Sequence, residues 1–323
     1  MSSIANVVAA QSTDDARLVE QIQVATPIYS IANGAMGQAF MADRIIFDTV
    51  GATPETDAQV RALHVQIERS IRDGRAALDR FTARKQDLSQ SDAHLVSELI
   101  ASISGTLDAA EAHIDDQANF LDQSLSERVL GVRDFRTRGR ERRLVFLKGE
   151  AAIARVAMRS FKPGALDSVL SLSNLSFREV DIALMQQEIN VDWAAGVAID
   201  PNADRDAWRQ AKAALDRATR VMPMIKERVD GLERYVRPRF DTGVVDELLE
   251  LHHQVIAARS ALIEIYGGYI ATVWDDTGAF AQPSSNDIAD LNLRKNTQAD
   301  ILRSNSMRII DVSARMISGS RNN

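Results

Sequence analysis

All-α is the fold class this sequence predicts, in the form of an elongated antiparallel helical bundle with long, coiled-coil-like helices. Three observations carry it. Aromatic residues make up only 5% of the chain while apolar residues make up 45%. Ala, Leu, Ile and Val must then fill the core, which suits helix-on-helix packing better than a sheet sandwich. Apolar residues recur three and four apart over long stretches. The alternating pattern of strands is almost missing, and Asn33-Gly34 and Asp73-Gly74 lie inside helical patterns rather than between β-branched runs.

The seven prolines divide the chain. A first helix is expected from near Asp14 to near Val50, bent at Pro27 and at Gly34 and Gly37. Thr53 caps a second helix with Pro54 at its first position, where a missing N–H costs nothing. Val60, Leu63, Ile67, Ile71, Leu78, Phe81 and Leu88 form its stripe. Ser91-Asp92 offers a further cap, or the helix runs through it. The third region has Leu95, Leu99, Ile103, Leu107, Ile114, Leu121, Leu125 and Val129 on a related stripe. It is expected to continue to about Ser160, with an interruption near Gly131, Gly139 or Gly149, and to stop at Pro163-Gly164.

A fourth helix is expected over Ala165 to Trp193, and Asp200-Pro201 makes a turn. The fifth is the most regular. Trp208, Ala211, Leu215, Ala218, Met222, Ile225, Val229, Leu232 and Val236 keep the a/d spacing of helices packed side by side, with a kink expected at Pro223. After a short connection at Pro238 to Gly243, the sixth carries Val245, Leu248, His252, Val255, Arg259, Leu262, Tyr266, Tyr269 and Val273. Two matched helices of about 30 residues, each about 45 Å long, with a short link make an antiparallel hairpin. Asp275 to Asn286 reads as a loop. A last helix runs from Asp287 to about Ser318, with Gln298 and Asn305 interrupting its stripe. Domain regions are expected at 1–163 and 164–323, packed as one elongated unit.

The chain carries a net charge of −7, which argues against a nucleic-acid partner. It has no cysteine, so disulfides and thiolate metal sites are excluded. Met1 to Ala10 contains no Lys or Arg, unlike a secretory signal. The cytoplasm is the favoured location, with signal-independent export left open.

One stretch departs from the acidic background. Arg128 to Lys162 holds eleven basic residues against Asp134, Glu141 and Glu150, a net of +8. On a helix, Arg133, Arg136, Arg140 and Arg143 share a face, and clustered guanidinium groups call for phosphates or carboxylates. They are the anion-binding candidates. The alternative is pairing with acids of neighbouring helices. Phe135, Phe146 and Phe161 interleave these charges at core-like spacing.

Ala261 to Trp274 has one charge, Glu264. Tyr266, Gly267, Gly268, Tyr269 and Trp274 are the membrane-insertion candidates, on the interfacial preference of Tyr and Trp. The segment is too short to span a bilayer.

Catalytic, metal and cofactor sites are expected to be absent. Glu250-x-x-His253 is half of a di-iron motif, and none of the three histidines outside His252 and His253 completes it. No phosphate loop and no nucleophile elbow occurs, and the acid pairs Asp115-Asp116 and Asp275-Asp276 are mere neighbours. His252 reads as a satisfied core histidine and His253 as exposed. The leading expectation is a non-catalytic scaffold or protein-interaction protein whose partner is another protein or itself. The alternatives are a membrane-active, pore-forming-like toxin subunit that meets an anionic lipid surface, and a helical sensor that binds a small anion.

Overall fold

The computed structural model describes residues 13–48, 53–83, 89–158, 166–198, 203–238, 242–273 and 284–319. Among them every element is a helix: α1 (Thr13–Asp48), α2 (Pro54–Ala83), α3 (Gln90–Leu121), α4 (Leu125–Met158), α5 (Leu166–Ala198), α6 (Arg205–Val236), α7 (Thr242–Val273) and α8 (Ser285–Gly319). The protein is an all-α bundle of long helices packed on one another. The chain divides into two compact units, Met1–Glu179 and Val180–Asn323, and α5 runs through the division. The stop expected at Pro163-Gly164 lies outside the described residues.

Local chemistry sets the helix starts. Thr53 accepts from the Thr56 N–H, and Pro54 opens α2. Ser89, two residues ahead of the expected Ser91-Asp92, caps α3 by accepting from the Asp92 N–H. Asp204 caps α6 through the Ala207 N–H. The third region, expected to be interrupted near Gly131, Gly139 or Gly149, is two helices. The break falls at residues 122–124, not at a glycine, because Ser124 and Glu127 form a capping box. The Glu127 carboxylate accepts from the Ser124 N–H and hydroxyl at 2.8 and 2.6 Å, and Ser124 Oγ accepts from the Glu127 N–H. Gly131, Gly139 and Gly149 all lie inside α4. Leu125, placed on the stripe by spacing, is exposed.

The first unit packs α1 to α4 in alternating directions. Arg61 reaches Asp122 and Arg75 reaches Asp108 and Glu111, so α2 and α3 are antiparallel. Arg155 meets Glu98 and Arg138 meets Asp116, so α3 and α4 are antiparallel too. Ile22, Ile28, Met36, Ile67, Ile71, Leu99, Ile103 and Leu107 belong to one aliphatic core. A second cluster joins Ala42, Ile46, Val60, Phe120, Leu121 and Phe135.

Small residues let these helices approach. α1 is fully buried at Ala25, Ala32, Ala35 and Ala39, and it runs on through Pro27. Gly74 of α2 faces both α1 and α3. A Cβ there would lie 2.9 Å from Leu107 Cδ2 and 3.3 Å from Ile31 Cγ2.

In the second unit, α7 packs on both α6 and α8. The pair Arg237–Asp246 makes α6 and α7 antiparallel, as the hairpin reading expects. Arg308–Glu247 and Asn305–Gln254 set α8 antiparallel to α7. Asn305 is therefore a buried register pin. α6 runs unbroken through Pro223. It buries the nine a/d residues and Ala214. The coiled-coil description is corrected by α7, which buries far more than an a/d seam. Leu248, Leu249, Leu251, Val255, Ile256, Ala258, Leu262, Ile263 and Ile265 are all inside. A helix with partners on two sides buries a wide band, which is bundle packing.

Two glycine substitutions should act in opposite senses. Gly74→Val overpacks the contact with Leu107 and Ile31 and should cost about 1–3 kcal/mol. Gly105→Ala meets nothing within 4 Å and should add about 0.5–1 kcal/mol through helix propensity. Urea melts followed by circular dichroism check both, with the midpoint moving and the slope unchanged.

Candidate functional site

A chain of hydrogen bonds crosses the first unit. His64 of α2 meets Gln117 Oε1 at 2.8 Å. Gln117 Nε2 donates to the Ala39 carbonyl and to Asp43 Oδ1, both at 2.7 Å. Asp43 Oδ2 meets His113 Nε2 at 2.8 Å. His64, His113 and Gln117 are all buried. The acceptors fix the tautomers: each histidine presents an Nε2–H. Burial holds the His64 imidazole below its ordinary value, and the Gln117 hydrogen bond opposes that only partly.

His113 sits between Phe40, at 5.4 Å between ring centroids, and Phe135, at 6.3 Å. Its Nδ1 has no hydrogen-bond partner among the described residues. Gly139 of α4 covers the ring, and a Cβ there would lie 3.3 Å from His113 Cε1. These hydrogen bonds tie α1, α2 and α3 in register.

α4 carries most of the basic segment, and acids of neighbouring helices meet it. Arg128 pairs with Asp57 of α2 at 2.8 Å, and its guanidinium also donates to the Leu121 carbonyl. Arg138 and Arg142 converge on Asp116 of α3 at 2.9 and 3.7 Å. Arg155 reaches Glu98 at 2.9 Å. The anion-binding candidates lie between these anchors. Arg143 stands over the Phe40 ring at 5.9 Å, a cation–π contact. Arg140 is half-buried and Arg136 exposed, and both make further interactions. Arg133 lies in α4, and its side chain is outside the described residues. Phe135 is buried and Phe146 packs on the core, as their spacing suggests. Phe161 is outside the described residues.

The membrane-active reading is corrected. No helix of the described residues is long and apolar enough to cross a membrane. Tyr266 and Tyr269 are buried in the second unit, and burial raises the Tyr269 hydroxyl above its ordinary value. Gly267 and Gly268 continue α7 without interruption, and Trp274 is outside the described residues. The low charge of this segment serves a helix enclosed by neighbours, and the toxin and membrane-interaction expectations fall with it.

Polar rungs also run through the second unit. His252 of α7 is buried, with Nδ1 at 2.9 Å from the Leu248 carbonyl and Nε2 at 3.2 Å from Asp181 of α5. It is the satisfied core histidine that its seam position suggests. Seven residues on along both helices, buried Arg259 meets Glu188 at 3.0 Å. The equal steps make α5 and α7 parallel here. Glu250 is exposed and accepts from Gln254.

His253, expected to be exposed, is half-buried. It faces two carboxylates of α6: Nε2 lies 3.7 Å from Asp230 Oδ1 and 3.5 Å from Glu233 Oε2. Sequence reading looked for a partner motif of the Glu-x-x-His kind on another helix and missed this group, because the acids arrive as Asp230-x-x-Glu233 from across the hairpin. A signal was present. Asp230 and Glu233 share a face of α6, and the hairpin register carries that face to His253.

On α8, Ala289, Leu293, Thr297 and Ile301 are exposed at four-residue steps. Leu293 is 69% exposed and Ile301 38%, while Leu291 and Leu302 turn inward. Asp290, Arg294 and Asp300 flank the row. No protein family, curated protein or solved structure matches this chain.

The His64 geometry predicts a pH dependence. Unfolding releases the imidazole to an ordinary value of 6.5, so below that pH the unfolded chain takes up the proton first. The contribution to stability is full above 6.5 and declines as pH falls toward the lower folded value, with a slope of at most about 1.4 kcal/mol per pH unit. Urea midpoints measured between pH 7.5 and 5 should fall more steeply for the parent than for His64→Gln. Parallel curves would show that His64 plays no part.

Proposed function

We propose that this protein is a non-catalytic helical scaffold that works by docking partners on a rigid helix face, beginning with a second copy of itself. The exposed row on α8 is the observation that supports this reading. Single exposed apolar side chains are ordinary on protein surfaces. A row at four-residue steps with no charge in it is different, since it offers a continuous strip to another helix.

Two features favour a copy of the chain as the occupant. The flanks carry both signs, Asp290 and Asp300 against Arg294, so the arginine of one strip has acids to meet on the other. A two-fold contact also needs only one self-complementary patch. Buried Asn305 on Gln254 and the exposed pair Arg308–Glu247 tie α8 to α7 and hold the strip on a fixed frame, so little conformational freedom is lost on docking.

Leu293→Asp together with Ile301→Asp places two charges in the strip and leaves the inward face alone. Light scattering of the purified parent should give a mass above that of one chain at micromolar concentration, and the double variant should return it to one chain with unchanged helicity. A parent that remains a single chain at all concentrations would overturn self-docking. An associated double variant would move the contact elsewhere.

A further inference from the structure

We propose that Asp230, Glu233 and His253 form a binding site for a first-row divalent cation of the Zn2+ type on the α6–α7 hairpin. One ligand atom from each lies within 4.8 Å of the others. Asp230 and Glu233 stand three residues apart on one face of α6, and His253 comes from the antiparallel α7. Neither the scaffold reading nor the α8 strip involves these residues.

The distances support a shared ion better than direct pairing. At 3.7 and 3.5 Å, His253 Nε2 is beyond hydrogen-bond range of both oxygens. Donors around a tetrahedral ion with bonds of about 2.0–2.2 Å sit about 3.3–3.6 Å apart. The imidazole stands off from the carboxylates by about the separation that an ion between them requires.

The oxygens are also divided in the way a metal site needs. Asp230 Oδ2 is taken by Lys226 Nζ at 2.8 Å, and Glu233 Oε1 by Arg237 Nε at 2.8 Å. Asp230 Oδ1 and Glu233 Oε2 are the oxygens turned to His253. Cations on the far oxygens orient the ligating ones, as outer-sphere partners do, and the Lys226 hydrogen bond keeps the Asp230 carboxyl ionised by lowering it below its ordinary value.

The same cations offset part of the negative charge, which sets a moderate affinity. All three side chains are about one-third exposed, leaving room for water to complete the coordination. An imidazole with two carboxylates selects Zn2+, Ni2+ or Cu2+ over Mg2+ and Ca2+, which favour oxygen donors alone. Glu250, one turn before His253, is held by Gln254 and is not needed as a ligand.

Calorimetric titration of the full chain with ZnCl2 at neutral pH, with MgCl2 as comparison, tests the site. The expected result is one Zn2+ per chain, no comparable heat from Mg2+, and affinity weakened at least tenfold in both His253→Gln and Asp230→Asn. Circular dichroism confirms that each variant keeps its helicity. No Zn2+ uptake would mean that His253 only shares an ion pair with its acids, and would overturn the proposal. So would parental Zn2+ affinity in either variant, or Mg2+ binding as strong as Zn2+.

Discussion

Long helices with aliphatic cores have a register problem, and buried polar pairs solve it. Ala, Leu, Ile and Val make contacts that change little when one helix slides a turn past another. A hydrogen bond tolerates no such slide, because a buried group without its partner loses about 1–3 kcal/mol. The first unit locks α1, α2 and α3 through one amide, Gln117, which bonds at once to His64, Ala39 and Asp43. The second unit uses Asp181–His252 and Glu188–Arg259 between α5 and α7, and Asn305–Gln254 between α7 and α8. Each rung costs desolvation, and each excludes the slipped packings.

The charge distribution follows the same logic. The basic segment, most of which lies on α4, looks anomalous in isolation, yet Asp57, Asp116 and Glu98 come from α2 and α3 to meet four of its arginines. Arg143 lies over an aromatic ring instead. These pairs are half-exposed for the most part, so each adds little stability alone. Their value lies in orientation, since a helix with opposite charge on its neighbours has one preferred rotation. The α8 row and the hairpin group at His253 are among the features that project outward, and the proposed activities rest on them.

Much of the architecture was readable from residue spacing. The α6 stripe from Trp208 to Val236 is buried at every expected position, and Thr53-Pro54 opens a helix as it should. Misreadings have local physical reasons. Leu121, Leu125 and Val129 fit one helical period, so the stripe masked the Ser124–Glu127 capping box that separates α3 from α4. The segment from Tyr266 to Tyr269 resembled an interfacial one because a helix enclosed on two sides and a helix that enters lipid share a composition. The distinction lies in what surrounds the helix.

The sequence by itself determined that this chain is helical, where most helices begin, and which face of each is apolar, because those properties depend on neighbours within a few residues. Only the tertiary structure decided which charges meet. Asp43 lies 70 residues from His113, Asp57 lies 71 from Arg128, and the acids facing His253 come from another helix. Such meetings depend on the register between helices, and that register is settled by packing and buried hydrogen bonds acting together rather than by any periodicity along the chain.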